Sequence, residues 1–499
     1  MSSHTDRAGY ALPPHYRVNA SPAYFEDVPR GLVFQPHVYE MASYLVERAG
    51  LRAVVDVGAG NGEKLRPLGG RAEVMAIDHG ANLARLSALG FARVLDHDVA
   101  AGMPDLPHDL LARAVVIAAD IIEHLPDPGP LLDGLAHWAG KAPFVLLSTP
   151  DRVRVRGAAD DGPPANPSHV REWSHDEFAR ALRAAGLGVG LIGHTINTDH
   201  HDVKSTLLAV AGTHADWRPS RRVPVLAIIN AYNEEDIVGE TVRHLLDDGI
   251  DVHVVDNWST DGTLRVLDSM GAGGRLTVSR YPDHPSGEYE WHRLLEHTAA
   301  IAAQSPHAWV IHHDADELRA SPWRGVGLAD GIAFVDSLGY TAIDFTVVDF
   351  RPVGDDPVGD TWEQRVRHFE FGRRAGHFRQ VKAWRQTPGV VVDLASSGGH
   401  DVTFGGRTVY PLKFLCRHYP LRSRAQAARK VFLDRAPRIA RERQERGWHA
   451  HYDRFRSADD FRWDRHTLHA WSDVLFHSEF IVERLTGLGI PRTEHTDGR

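Results

Sequence analysis

Two groups of closely spaced residues in this chain have types that can do chemistry. The first is VVDVGAGNGEK, in which Gly58, Gly60 and Gly62 alternate at the end of an apolar run. Glu63 stands where a dinucleotide fingerprint would place its third glycine, so a cofactor without a pyrophosphate is favoured over a nicotinamide. Asp56 precedes the loop, Asp78 ends the second apolar run and Asp98 follows the third. Asp56 can hold an ammonium group directly or through water, Asp78 can accept from two ribose hydroxyls, and Asp98 can receive an adenine amino group. Three acids in this order suit a cationic sulfonium ligand; the alternative is that Asp56 and Asp98 merely cap loops. The second group is HHDADE, with Asp314 and Asp316 one residue apart, downstream of NAYNEE and DNWSTDGT. Paired carboxylates in this form can grip Mg²⁺ or Mn²⁺, which neutralises a diphosphate leaving group. In an extended segment both would lie on the same side.

The elements that must carry these residues follow from the apolar pattern. Arg52–Gly58, Ala72–Asp78, Ala92–Asp98, Arg113–Asp120 and Ala142–Pro150 each read as a buried parallel strand, separated by amphipathic stretches such as PLLDGLAHWAG. That alternation predicts a doubly wound sheet with ligands over the carboxyl ends of its strands. A polar stretch, residues 213–222, interrupts the order as a linker, and a second strand–helix series begins at Val223. Arginine and helix-forming residues dominate from about Ser423, predicting helices packed on the second domain.

Composition narrows the function further. The 499 residues carry a formal charge of −10 with no polybasic tail, which disfavours a nucleic-acid partner. A single cysteine, Cys416, excludes an intrachain disulfide and any cysteine-rich metal site. The N-terminal residues lack the apolar core of a signal peptide, and no apolar run reaches about 18 residues, so a cytoplasmic protein without an integral membrane segment is expected.

With the phrase AADIIEHLPDPGPLLDGL following in order, the glycine loop and Asp78 resemble the class I S-adenosylmethionine-dependent methyltransferases over about Tyr10–Gly212. Methyl transfer to a hydroxyl needs a base, and His124 beside Glu123 is a candidate, a structural role being the other reading. The proline-rich segment DDGPPANPSHVREWSHDEF would be a lid, with His169, Arg171, Glu172 and Trp173 as acceptor contacts and Ser174 as a helix cap.

The ordered trio NAYNEE, DNWSTDGT and HHDADE resembles family 2 glycosyltransferases of the GT-A fold, over about Val223–Val348. The resemblance implies that Ala231, Tyr232 and Glu234 line the nucleotide pocket, that Asp256 contacts base or ribose, and that Asp261 supports the nucleotide loop. It implies Asp314 and Asp316 at the metal and diphosphate, with His400 or His418 completing the metal shell. Asp401 is the first candidate for the acceptor base, with Asp349 and Asp393 as alternatives, all three being ordinary loop acids otherwise. Arg417, Arg422 or Lys430 could neutralise diphosphate or form a solvated helix face, and Trp291 could stack on a sugar or pack in the core.

The expectation is therefore an α/β chain of two domains: a Rossmann-like class I methyltransferase fold at 1–212, and a GT-A nucleotide-diphospho-sugar transferase fold at 223–499 with a helical C-terminal extension. The leading reading is an enzyme that methylates from S-adenosylmethionine and transfers a sugar from a nucleotide sugar to a saccharide or small-molecule hydroxyl acceptor. The alternative is a glycosyltransferase whose first half is a non-catalytic acceptor-binding module. A metal hydrolase built on HHDADE explains neither of the other two motifs.

Overall fold

The computed structural model describes residues 9–28, 31–200, 202–271, 273–354, 359–374, 376–448 and 453–492. The chain forms two compact units, Met1–Arg218 with Asp473–Gly489, and Pro219–Ser472 with Ile490–Arg499.

The first unit is built on seven strands: β1 (Ala53–Val57), β2 (Glu73–Asp78), β3 (Arg93–Asp96), β4 (Ala114–Ala119), β5 (Phe144–Pro150), β6 (Ile192–Thr195) and β7 (Thr206–Ala211). Their order is β3-β2-β1-β4-β5-β7-β6, parallel throughout except for β7, which runs against both neighbours. β1 and β4 are buried at every position, as expected of central strands covered on both faces. The order reverses between β1 and β4, which opens a crevice at their carboxyl ends. Helix Pro36–Arg48 places proline in its first turn, and helix His175–Ala184 is started by a reciprocal Ser174–Glu177 capping box. Contrary to the expectation that all of 223–499 packs as the second domain, Asp473–Gly489 belongs to the first unit. There Ile481, Val482 and Leu485 are fully buried, Lys204 Nζ lies 2.5 Å from Glu483 Oε1, and His194 lies 3.3 Å from the Ser478 carbonyl. No heptad or strand pattern marks that return, so the sequence does not announce it.

The second unit has two sheets. The first contains β8 (Val225–Ala231), β9 (Asp251–Asp256), β10 (Leu276–Arg280), β11 (Trp309–Asp314), β13 (Ala342–Ile343) and β16 (Ala383–Arg385), in the order β10-β9-β8-β11-β16-β13. The second contains β12 (Glu317–Ala320), β14 (Phe345–Arg351), β15 (His368–Phe371), β17 (Phe414–His418) and β18 (His469–Ala470), in the order β12-β17-β14-β15-β18. Asp314 ends β11 and Glu317 begins β12, so Ala315 and Asp316 form the turn between the sheets. The D-x-D carboxylates are thus set by a turn rather than by strand alternation, because the chain leaves one sheet and enters the other within two residues. In the second sheet His418 is opposite Glu317 on β12 and opposite Asp349 on β14, so register alone brings three polar side chains to that turn.

Candidate active sites

In the first unit the alternating glycines are left-handed, with φ of 73° at Gly58, 59° at Gly60 and 75° at Gly62. Side chains there would also overlap Ile121, Asp27 and Leu86 respectively. The loop therefore offers bare backbone at the crevice. Asp56 is fully buried; the Tyr39 hydroxyl donates to its Oδ2 at 3.1 Å, while Oδ1 has no partner. Burial pushes this carboxyl up to about 7 despite the opposing pull of Lys64 and Tyr39. An orphaned buried carboxylate oxygen is costly until a donor or cation meets it, so the site suits a cationic amino group. Asp78 accepts from the Gly60 and His79 amides, each at 2.7 Å, and from Asn82 at 3.3 Å. It thereby ties the loop to β2, and its remaining lone pairs can take ribose hydroxyls. Asp98 caps the turn Val99–Ala101 by accepting from Ala100 at 2.9 Å.

Two features of this site were missed in the sequence. Asp27 accepts from the Asn61 amide at 3.0 Å and Tyr24 donates to the His79 carbonyl at 2.9 Å, which lays the N-terminal segment across the glycine loop. Asp120, with φ of 48°, accepts from Ser148 Oγ at 2.7 Å and from Gln35. A non-glycine residue held in the left-handed region at a strand end is a common mark of a functional site. The remaining residues of the proline-rich segment divide. Arg171 donates to the Leu125 and Pro126 carbonyls, and the Trp173 ring is fully buried with its nitrogen on the Tyr10 carbonyl; both are scaffolding rather than acceptor contacts. His169 and Glu172 instead bond each other at 2.7 Å beside His124. Burial and the neighbouring His169 lower His124 to about 4, leaving a neutral and weakly basic imidazole at pH 7.

In the second unit the acids at the β11–β12 turn are held by cations. Lys382 donates to Asp314 at 2.7 Å and to Glu317 at 3.2 Å; Lys430 lies 2.7 Å from Asp316 and 2.9 Å from Glu234. Arg422 adds bonds to Glu234 at 2.6 Å and Asp236 at 2.8 Å. Burial would raise these carboxyls, yet Lys382 holds Asp314, and Lys430 holds Asp316 and Glu234, below the usual range. His418 Nδ1 is 2.7 Å from Asp349 Oδ1, which fixes the proton on Nδ1 and leaves the Nε2 lone pair 3.7 Å from Asp316. Asp349 is also bonded by Arg351 at 2.9 Å, and its carboxyl lies well below the usual range: burial opposes this, but Arg351, His377 and His418 outweigh it. An imidazole oriented toward Asp316, with Asp314 two residues before it, supplies donor types that fit a divalent cation.

The nucleotide-loop motifs interlock. Asn233, at φ of 56°, accepts from the Thr260 amide at 2.8 Å, and Glu235 accepts from the Gly262 amide at 2.8 Å. Asp261 accepts from Thr263 at 2.9 Å, so it supports the loop, and Asp256 accepts from the Ser259 amide. Ala231 ends β8 and the Arg438 guanidinium lies 3.9 Å from the centre of the Tyr232 ring. Glu234 faces Lys430 and Arg422 rather than a base. Lys430 sits on a π-helical turn, Arg429–Arg435, a geometry that often marks functional positions.

The base candidates are not brought to the turn as acids awaiting a proton. Asp349 is committed to His418 and Arg351; Asp401 is bonded by Arg407 and, at 3.4 Å, by Arg379. Asp393 caps the turn Ala395–Ser397 through the Ser396 amide. His400 is buried against Gln380 at 3.0 Å and burial lowers it to about 4. Arg417 pairs with Glu363 at 2.7 Å, and Trp291 donates to the Gly398 carbonyl and stacks on Tyr289, which packs it, partly buried, against the core.

The family model for Glycosyl transferase family 2 matches residues 226–317. No protein with a curated description matches the chain. Among solved structures it is similar to an S-adenosylmethionine-dependent methyltransferase from Aquifex aeolicus, with 22% identity, 36% of this chain and 89% of that one covered, and a TM-score of 0.26. It is also similar to one from Mesorhizobium loti, with 20% identity, 34% and 95% covered, and a TM-score of 0.28. Among the described residues no helix is long and apolar enough to cross a membrane. The chain joins a doubly wound unit of seven strands to a second unit in which residues 226–317 match the Glycosyl transferase family 2 model.

Proposed function

We propose that the chain is a dual transferase, moving a methyl group from S-adenosylmethionine in its first unit and a sugar from a nucleotide sugar in its second. The acceptor is a saccharide or a small molecule bearing a hydroxyl. The observation that carries the reading is the set of groups around the β11–β12 turn of the family 2 region: Asp316 with His418 Nε2 3.7 Å away, Asp314 at the end of β11 held by Lys382, and Lys430 and Arg422 beside them. Asp314, Asp316 and His418 would hold Mg²⁺ or Mn²⁺, whose charge would offset that of the departing nucleoside diphosphate. Asp349 keeps the His418 proton on Nδ1. Lys382 gives two of its three ammonium hydrogens to Asp314 and Glu317 and can turn the third to a diphosphate oxygen. In the first unit Asp56 would take the ammonium of S-adenosylmethionine on its unpartnered oxygen, Asp78 would hold the ribose, and the left-handed glycines let the backbone approach.

Calorimetric titration of the full chain with S-adenosylmethionine, then with a panel of nucleoside diphosphates plus Mn²⁺, tests this. Two independent binding events are expected. Nucleotide binding alone would favour the reading in which the first unit is a non-catalytic acceptor-binding module.

A further inference from the structure

Beyond the glycine loop, the first unit buries a second set of donor atoms that the steps above leave unused. Glu123, His124 and His169 each present one ligand atom within 4.8 Å of the others. We propose that these three residues form a divalent-metal site for a first-row transition ion in the Mn²⁺ to Zn²⁺ range, with open positions that take oxygen atoms of the methyl acceptor.

Second contacts orient both imidazoles. His124 Nδ1 lies 2.9 Å from the Ser168 carbonyl, and His169 Nδ1 lies 2.7 Å from Glu172 Oε1. Both Nδ1 atoms therefore carry the proton and both Nε2 atoms offer a lone pair, the arrangement that histidine ligands adopt around metals. Glu123 is fully buried; its Oε2 accepts from Thr149 at 3.0 Å, while Oε1 has no partner. A fully buried carboxylate oxygen with no donor of its own, in a group whose ligand atoms lie within 4.8 Å of one another, is costly until a cation or donor meets it.

One contact opposes the site: the Asn166 amide lies 2.9 Å from His169 Nε2, so a metal ion displaces one neutral hydrogen bond. Two imidazoles among three ligands favour a transition ion over Mg²⁺ or Ca²⁺, and three protein donors leave coordination positions open. Ile121, two residues before Glu123, packs where a Gly58 side chain would be, so the cluster borders the glycine loop. Assigning the open positions to the methyl acceptor rests on the methyltransferase reading; the metal site itself does not.

The test uses the full chain carrying Asp316→Asn and His418→Ala, which silences the second unit's cation site. Co²⁺ is titrated into it and followed by visible absorption and bound-metal stoichiometry. One Co²⁺ per chain is expected, with affinity falling at least about 100-fold on adding His124→Ala or His169→Ala and about tenfold on adding Glu123→Gln. His124→Gln, which can still donate to the Ser168 carbonyl, is the second variant should His124→Ala not fold. S-adenosylmethionine calorimetry on the same proteins separates the two readings: histidine-dependent Co²⁺ binding without methyl-donor binding keeps the metal site and removes its assignment to a methyl acceptor. No bound Co²⁺ in the folded background protein, or binding unchanged by the histidine substitutions, overturns the proposal.

Discussion

Asp349 shows how one residue's role depends on its neighbours rather than its type. Its place in the chain made it a candidate base, but a carboxylate already accepting from His418 and Arg351 is better suited to orienting an imidazole than to taking a substrate proton. Asp349→Asn keeps the shape and removes the charge. Mn²⁺ affinity of the second unit should fall about 10- to 100-fold, the usual loss when a ligand's supporting carboxylate is removed, and sugar transfer should recover partly at high Mn²⁺. Unchanged Mn²⁺ affinity in a titration of that variant would place His418 outside the metal shell. Asp56 makes a pH-dependent prediction. Burial raises its pKa to about 7, and a bound ammonium group would favour its ionised form, lowering the pKa in the complex. Binding then selects the deprotonated protein, so S-adenosylmethionine affinity should rise with pH. With a pKa near 7, the ionised fraction grows from about 3% at pH 5.5 to about half at pH 7, a gain in affinity of about 15-fold. Calorimetry at both pH values checks the slope, and Asp56→Asn should flatten it.

At the scale of elements, the glycine loop is the least forgiving segment. Gly62 has φ of 75°, and a methyl group there would meet Leu86 at 2.6 Å, Leu89 at 2.9 Å and Phe91 at 3.0 Å. Gly62→Ala should cost about 1–2 kcal/mol in left-handed strain alone and displace the loop, abolishing S-adenosylmethionine binding while nucleotide binding persists. Wild-type methyl-donor affinity in that variant would remove the loop from the site. Loop and strands were legible because their signals are local: continuous apolar runs mark β1, β4, β5, β8 and β11, and each is followed within a few residues by its acids. The D-x-D pair was legible as chemistry but not as geometry, since nothing in HHDADE says that the chain turns between two sheets. Lys382 and Lys430 reach Asp314 and Asp316 from 68 and 114 residues away, and such pairing leaves no periodicity to read. Lys430 stood out only through the basic composition around it, and Lys382 through nothing. Likewise Asp27 and Tyr24 lie on a segment without regular structure, whose place over the glycine loop is set by isolated hydrogen bonds.

For the whole molecule, each unit has its own core and its own set of carboxylates, so the two binding functions should fail separately. Asp78→Ala should abolish methyl-donor binding and spare nucleotide binding, and Asp316→Ala should do the reverse; equal loss of both ligands in either variant would contradict two independent sites. The chain path adds a sharper test. The first unit is discontinuous in sequence: Asp473–Gly489 returns to it after the entire span Pro219–Ser472 has been built into the second. The returning segment buries Ile481, Val482 and Leu485 completely and brings Glu483 to Lys204. At about 1.5–3 kcal/mol for each fully buried aliphatic side chain, its removal should cost the first unit about 5–9 kcal/mol, comparable with the whole stability of many domains. A chain ending at Ser472 should therefore lose cooperative melting of the first unit and S-adenosylmethionine binding while keeping nucleotide binding. Leu485→Asp in the full chain should move both readouts the same way by placing a charge where the segment packs. Full methyl-donor affinity in both proteins would show that the first unit folds without its returning segment; loss confined to the methyl donor would show that a site formed by residues 27–172 depends on residues more than 300 positions later.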